Sequence, residues 1–344
     1  MIRTLQILLV ILLPLFTGGQ AVGQAPPPEP SPPEGAVFLL LPVGAEGISL
    51  GRAMTAATSP ESAFWNPAGL ARLSRSEFLI MRGDPLAGVS TALSWLWVRQ
   101  PLGVLGISYH LLDGGDQNLV DNQGNVRGTF TIRSQVGIAS AATPLTRWLE
   151  VGLNMKIVRF DLNCRGQCDY AGVQSSGWSG DVGFQSQPLA GIPLRLGAML
   201  AHFGPKFQVV NAAQADPLPT RIRLSAAYEV LHHFHPPADL ALWIRVEAED
   251  RWRRPGESRS FYVGTELVAG SSDLLFLRAS HAREEIKESD ENAFGLGLRY
   301  ERFEIALARS FTTSILEGSE PVVRVLWPPV LESWARGGAS SGRA

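Results

Sequence analysis

From residue 77 onward, apolar and polar residues alternate with a period of two. In 239–249, Leu240, Leu242, Ile244, Val246 and Ala248 fall on one face, while Asp239, Trp243, Arg245, Glu247 and Glu249 fall on the other. The stretch 221–230 repeats the pattern, with Ile222, Leu224, Ala226, Tyr228 and Val230 set against Arg221, Arg223, Ser225, Ala227 and Glu229. Successive side chains of a strand point to opposite sides, so each run reads as a strand with two unlike faces. About fourteen are expected, at 77–82, 91–99, 102–111, 128–140, 149–160, 178–186, 193–202, 221–230, 239–249, 260–268, 273–281, 292–300, 303–311 and 321–327.

The connections sharpen this. Short ones at 100–101, 143–148, 187–192, 231–238, 270–272 and 301–302 alternate with longer ones at 112–127, 161–177, 202–220, 250–259, 282–291 and 312–320. An up-and-down barrel in an outer membrane has short periplasmic turns and long outer loops. A sandwich with Greek-key returns has no reason to alternate. An even strand count would bring both ends of the chain to the periplasmic side.

The two faces then acquire roles. The apolar face meets lipid. The other carries charges in mid-strand, namely Arg133, Lys156, Arg195, Arg223, Arg245, Glu266, Arg299 and Glu304. In a soluble core each unpaired charge would cost several kcal/mol of desolvation. Facing a wet lumen they cost little. The expectation is an all-β, transmembrane, antiparallel up-and-down β-barrel over 77–327 with these charges facing the lumen. Trp95, Trp97, Trp148, Tyr228, Tyr300 and Trp327 would supply parts of the interfacial girdles. A soluble secreted β-protein with one solvated face is the alternative that the alternation leaves open.

Composition agrees. The chain has 344 residues, 18% charged, with 35 glycines and a net charge of −2, as strands facing lipid on one side and a crowded lumen on the other require. After the first 17 residues no apolar run reaches the ~18 residues of a spanning helix. Nothing provides the basic footprint of a nucleic-acid partner. Residues 1–24 read as a signal peptide, with Arg3 before the apolar stretch Ile7 to Phe16 and small residues after it. Residues 25–37 read as a proline-rich extended spacer and 328–344 as a C-terminal tail. The destination is the outer membrane, with its lipid as a partner.

Chemistry is sparse. Cys164 and Cys168 lie in a long connection and are candidates for a local disulfide in an oxidising compartment. His232, His233 and His235 lack further ligands at metal spacing, so no metal or cofactor is expected. The Gly47-Ile48-Ser49-Leu50-Gly51 string lacks the strand–turn–helix context of a nucleophile elbow. Ser108 and His110 share one strand about 7 Å apart, too far for a nucleophile and its base. No enzyme is expected.

Residues 38–76 are not strand-like. Ser59 can cap a short helix with Pro60 at its first position, and Asn66-Pro67 stops it. Pro42, Val43, Gly44, Ala45, Leu50, Gly51, Ala53, Trp65, Asn66, Pro67, Ala68, Gly69, Leu70 and Ala71 resemble the N-terminal signature of FadL-type outer-membrane proteins, and more closely that of their PorV/PorQ branch. The resemblance implies a fourteen-stranded barrel whose residues 38–76 fold into the lumen as a hatch. Gly44, Gly51, Ala53, Trp65, Asn66, Pro67, Ala68 and Gly69 would be its structural motif. It also implies two functions. A PorV/PorQ-like protein engages exported cargo or components of a type IX-like secretion system, or has an associated passage function. A FadL-like one is a channel for small hydrophobic molecules. Exposed apolar residues at the outer rim, with Phe207, Val209 and Val210 as candidates, would favour the first. An apolar pocket under the hatch would favour the second.

Overall fold

The computed structural model describes residues 34–84, 88–99, 101–168, 172–188, 191–209, 215–234, 239–271, 274–284, 289–312 and 321–327. Fourteen strands among them close into one antiparallel barrel. They are β1 (Glu77–Gly83), β2 (Val89–Arg99), β3 (Gly103–Val120), β4 (Val126–Pro144), β5 (Leu149–Gly166), β6 (Val173–Ser186), β7 (Leu194–Phe203), β8 (Arg221–Glu229), β9 (Leu240–Arg251), β10 (Ser260–Ala269), β11 (Leu274–Glu284), β12 (Ser289–Tyr300), β13 (Phe303–Thr312) and β14 (Val322–Trp327). Each pairs with its sequence neighbours, and β1 closes on β14 in the register Phe78↔Trp327. Closure leaves no sheet edge along the wall, which a bilayer requires.

The alternation divides the wall as the sequence implies. Leu105, Ile107, Leu153, Met155, Ile157, Leu196, Leu224, Val246, Val263, Leu277, Leu296, Leu298, Ile305 and Leu307 are all exposed on the outside. A soluble monomer seldom exposes a contiguous apolar patch above about 600 Å². An apolar band around the whole barrel is a lipid-facing surface, and the soluble reading falls. Trp148, Tyr300 and Phe303 are exposed beside short turns, as girdle residues are.

Three strands depart from expectation. β3, β4 and β5 run for 18, 19 and 18 residues, so most of the expected loops 112–127 and 161–177 is strand. The β3–β4 turn is tied by Asp121, whose backbone N–H donates to the Asn125 carbonyl at 3.0 Å. Its carboxylate accepts from the backbone N–H of Asn125 and of Gln123, both at 2.9 Å. These bonds, that to Asn125 foremost, hold the Asp121 carboxyl below its ordinary range. Outward residues here are polar, as in the Asp113–Arg133 pair at 2.8 Å, so the extension stands clear of the apolar belt. Cys164 in this part of β5 is disulfide-bonded to Cys168, with their Cα atoms 6.3 Å apart.

The lumen is filled rather than wet. Residues 34–76 run through it as a 3₁₀ turn (Val37–Leu40), a short helix α1 (Ala45–Ser49) and two further 3₁₀ turns (Pro60–Ala63 and Pro67–Leu70). Glu34 begins at the long-connection end, where it pairs with Arg221 at 2.8 Å and the Gly35 N–H donates to the Pro217 carbonyl at 2.9 Å. Leu70, Ala71 and Leu73 finish at the short-turn end, packed on Leu96, Val104 and Ala142. The described chain therefore starts at the opposite end from the start of β1, and Glu34 to Val37, read with the spacer, belong to the lumenal segment.

Two further expectations are corrected. Arg133 faces outward, because Ser134, Val136, Ile138 and Ser140 take the lumen side of β4. Phe207 is buried against Ala36, Val158 and Leu218, and Val209 packs on that cluster, so neither is free apolar rim. Val210, His235, the expected signal peptide at 1–24 and the expected tail at 328–344 lie outside the described residues.

Candidate functional site

The chemistry of this barrel lies where the segment meets the wall. Arg324 of β14, 1% exposed, is the centre of a buried charge cluster. It donates to Glu46 at 3.1 Å, to Glu61 at 2.9 Å and to Glu304. Glu304 also accepts from Arg299 at 2.9 Å. On the other side, Glu266 joins Arg245 at 2.8 Å and Arg278 at 2.6 Å, and Arg278 approaches Glu46 at 3.9 Å. Further round, Arg223 meets Glu249 at 2.6 Å and Lys156 meets Asp181 at 2.6 Å. Of the eight strand charges singled out from the sequence, the seven other than Arg133 point inward. Six of them are ion-paired, and pairing is what makes such burial tolerable, while the half-exposed Arg195 bonds the Thr58 hydroxyl at 3.0 Å.

The segment supplies the complementary groups. Glu61 accepts from the backbone N–H of Glu46 at 3.1 Å and of Gly47 at 2.9 Å, which are orphan donors of the first turn of α1. Burial raises the Glu61 carboxyl above its ordinary range, and Glu46 adds to this, while Arg324 and the two N–H groups oppose it. Ser59 caps the turn Pro60–Ala63 by accepting from Glu61 N–H at 3.2 Å. Glu247 of β9 accepts from both the N–H and the hydroxyl of Thr55 at 2.8 Å.

The motif residues occupy the tightest places. Gly44 caps α1 with φ +94°, and a side chain there would run into the Glu61 carboxylate. Gly51 has φ +57° and lies against Ser280. Ala53 is enclosed with Tyr262 and Ala282. The Trp65 indole N–H donates to the Val43 carbonyl at 2.9 Å, stapling the start of the segment to its middle. Asn66 accepts from the Ala68 N–H at 3.1 Å, capping the turn that Pro67 begins, and donates to the carbonyls of Thr55 at 2.6 Å and Phe184 at 3.2 Å. Ala68 and Gly69 are buried in that turn, where Gly69 faces the Ala57 carbonyl. Wall glycines complete the fit: Gly197 lies against the Thr55 carbonyl and Gly152 against the backbone of Pro67 and Ala68.

The upper segment differs. Phe38, Leu39, Leu40, Leu41 and Val43, with Phe64 and Trp65, line a small cavity of about 30 Å³. Its far side carries Val136, Ile138, His110, Lys156, His202 and Arg223. Phe38 stacks on Phe160 at 6.4 Å. One feature here escaped the sequence. His110 Nε2 lies 2.9 Å from the Ser90 hydroxyl across β2 and β3, while Ser108 bonds Ser94 at 2.8 Å. Only the strand register could have revealed those pairs.

A fourteen-stranded transmembrane barrel with a segment of its own chain packed in the lumen is therefore the class of protein at hand. Solved structures share this fold. The Ralstonia pickettii toluene transporter TbuX aligns over 84% of this chain and 98% of its own, at 14% identity and a TM-score of 0.58. The monoaromatic hydrocarbon channel CymD aligns over 86% and 98%, at 12% identity and a TM-score of 0.56. The Pseudomonas putida toluene transporter TodX aligns over 81% and 96%, at 12% identity and a TM-score of 0.52. No family model matches the chain, and no curated protein matches it in sequence.

Proposed function

We propose that this protein is an outer-membrane channel for small hydrophobic molecules, without catalytic chemistry, in which residues 34–76 act as a hatch. The observation that carries the reading is the small cavity beneath Phe38 to Leu41, walled by that apolar stretch on one side and reached by His110, Lys156, His202 and Arg223 on the other. A volume of about 30 Å³ holds about one water. A hydrocarbon enters only if that short apolar stretch gives way. The shared fold with the toluene and monoaromatic channels supports the same reading.

The test is uptake of labelled toluene by cells whose outer membrane carries the chain, compared with cells lacking it. Faster uptake, accelerated further by Phe38→Ala, is the expected result. Equal uptake in all three strains would contradict a passage function.

The residues shared with PorV/PorQ proteins between Pro42 and Ala71 favour a second reading, a barrel engaging exported proteins or secretion partners. Purification from outer membranes in mild detergent separates the two. A stoichiometric exported protein recovered with the barrel, and no toluene uptake, would support the second.

A further inference from the structure

At the short-turn end of the lumen, two arginines share one indole. Arg195 of β7 and Arg245 of β9 both face Ala227 of β8, in the registers Arg195↔Ala227 and Ala227↔Arg245. The methyl group of Ala227 leaves room for the two guanidinium groups to converge over it. Their central carbons lie 5.2 and 5.9 Å from the Trp243 ring centroid.

The pair is short of acceptors. Arg245, with its side chain 8% exposed, gives one nitrogen to Glu266 at 2.8 Å. Its Nε and Nη1 are buried with no hydrogen-bond partner. Arg195 gives Nη1 to the Thr58 hydroxyl at 3.0 Å, and its Nε is likewise buried without a partner. Glu266 is already divided between Arg245 and Arg278. Glu150 is engaged by Arg72 at 2.8 Å. Glu229 stands opposite Trp243 on β8. Arg195, Trp243 and Thr58 are half-exposed, so the site opens toward the mouth of the barrel while Arg245 sits behind them.

Two like charges over one ring, with three inward N–H donors unused, form an incomplete arrangement. A guanidinium presents its donors in a planar fork suited to carboxylate or phosphate oxygens. The structure assigns to Arg195 and Arg245 an oxyanion site at the short-turn mouth of the lumen, and we propose that it binds a carboxylate or phosphate group there. The assignment does not depend on whether hydrocarbons pass the hatch, because Arg195, Trp243, Arg245 and Thr58 are not among the residues lining the cavity beneath Phe38.

The test uses the full chain folded in a neutral detergent and titrated calorimetrically with inorganic phosphate, octyl phosphate and octanol at matched ionic strength. Saturable binding of phosphate or octyl phosphate, but not of octanol, is expected. Binding of inorganic phosphate alone identifies a free anion as sufficient. Binding of octyl phosphate only identifies the headgroup of an amphiphile. In Arg195→Gln, which leaves the Arg245–Glu266 pair intact, the dissociation constant rises about tenfold, the equivalent of one lost charge-assisted bond. Glu229→Gln binds as tightly or more tightly, and the outward Arg133→Gln is unchanged. No saturable binding, equal binding of octanol, or unchanged affinity in Arg195→Gln would each overturn the assignment. Heat-modifiable gel mobility confirms that each variant is folded, so a lost signal cannot be a lost barrel.

Discussion

The two halves of the lumenal segment are held by different physics. From Gly44 to Ala71 almost every residue is buried, polar groups are capped or ion-paired, and the wall opposite is cut back to glycine where backbones meet. From Val37 to Leu41 the residues are exposed or half-exposed, and their regular bonding is one turn of 3₁₀ helix, closed by Leu39 N–H to Ala36 and Leu41 N–H to Phe38. Dispersion and apolar contact hold this upper stretch, and such contacts exchange for a hydrocarbon at little cost. Buried ion pairs do not, because removing one partner strands the other in a medium of low polarity. The lower half is a seat and the upper half is the part able to move.

Substitutions can break that contrast, and the largest effect belongs to the seat. Arg324→Gln leaves Glu46, Glu61 and Glu304 without their shared cation and should destabilise the fold by about 3–5 kcal/mol, read as the midpoint of heat-modifiable mobility. The loss should depend on pH. A carboxyl raised in the folded state, as Glu61 is, carries more proton folded than unfolded, so stability falls as pH rises past its ordinary value of 4.5. The deficit of Arg324→Gln should therefore shrink toward pH 4.5 and be full at neutrality; a pH-independent deficit would show that charge is not its cause.

Next in size is Gly197→Ala. Its Cβ meets the Thr55 carbonyl, so the segment must shift at a cost of about 1–3 kcal/mol. An unchanged midpoint would mean that the segment is not seated against β7. Phe38→Ala should cost only about 1 kcal/mol, the scale of one aromatic stack, while increasing toluene uptake. A loss of stability as large as that of Arg324→Gln would erase the distinction between the halves. Arg133→Gln, on the polar outer extension, should move the midpoint by less than about 1 kcal/mol.

The strand pattern was legible where the two faces differ chemically, as in β8 and β9. It was read as loop in the upper parts of β3, β4 and β5, where the outward face turns polar, as in Arg159, Asp161 and Asn163, and a register shift between Asp113 and Asp116 interrupts the alternation of β3. Arg133 was misassigned for a related reason. In β4 the apolar Val136 and Ile138 face inward and small Gly137 and Ala139 face outward, so the alternation carries no reliable phase. The inward charges were legible as inward but not as paired, since partners such as Glu249 for Arg223 and Glu266 for Arg245 are set by the register of neighbouring strands. Arg324, whose partner Glu46 lies 278 residues away, was not singled out at all. Pro60 and Pro67 announced the turns they begin, because local capping needs only adjacent residues. The Ser90–His110 contact and the Arg195–Arg245 pair had no local signal, for each depends on cross-strand register.

The division between seat and movable stretch is tested most directly by backbone hydrogen exchange on the full chain in detergent, with and without toluene. Amides of 37–41 should exchange much faster than those of 45–71, and added toluene should change exchange in the upper stretch alone. Uniform protection along 37–71, or a toluene effect centred on the Glu46–Glu61 seat, would contradict the account.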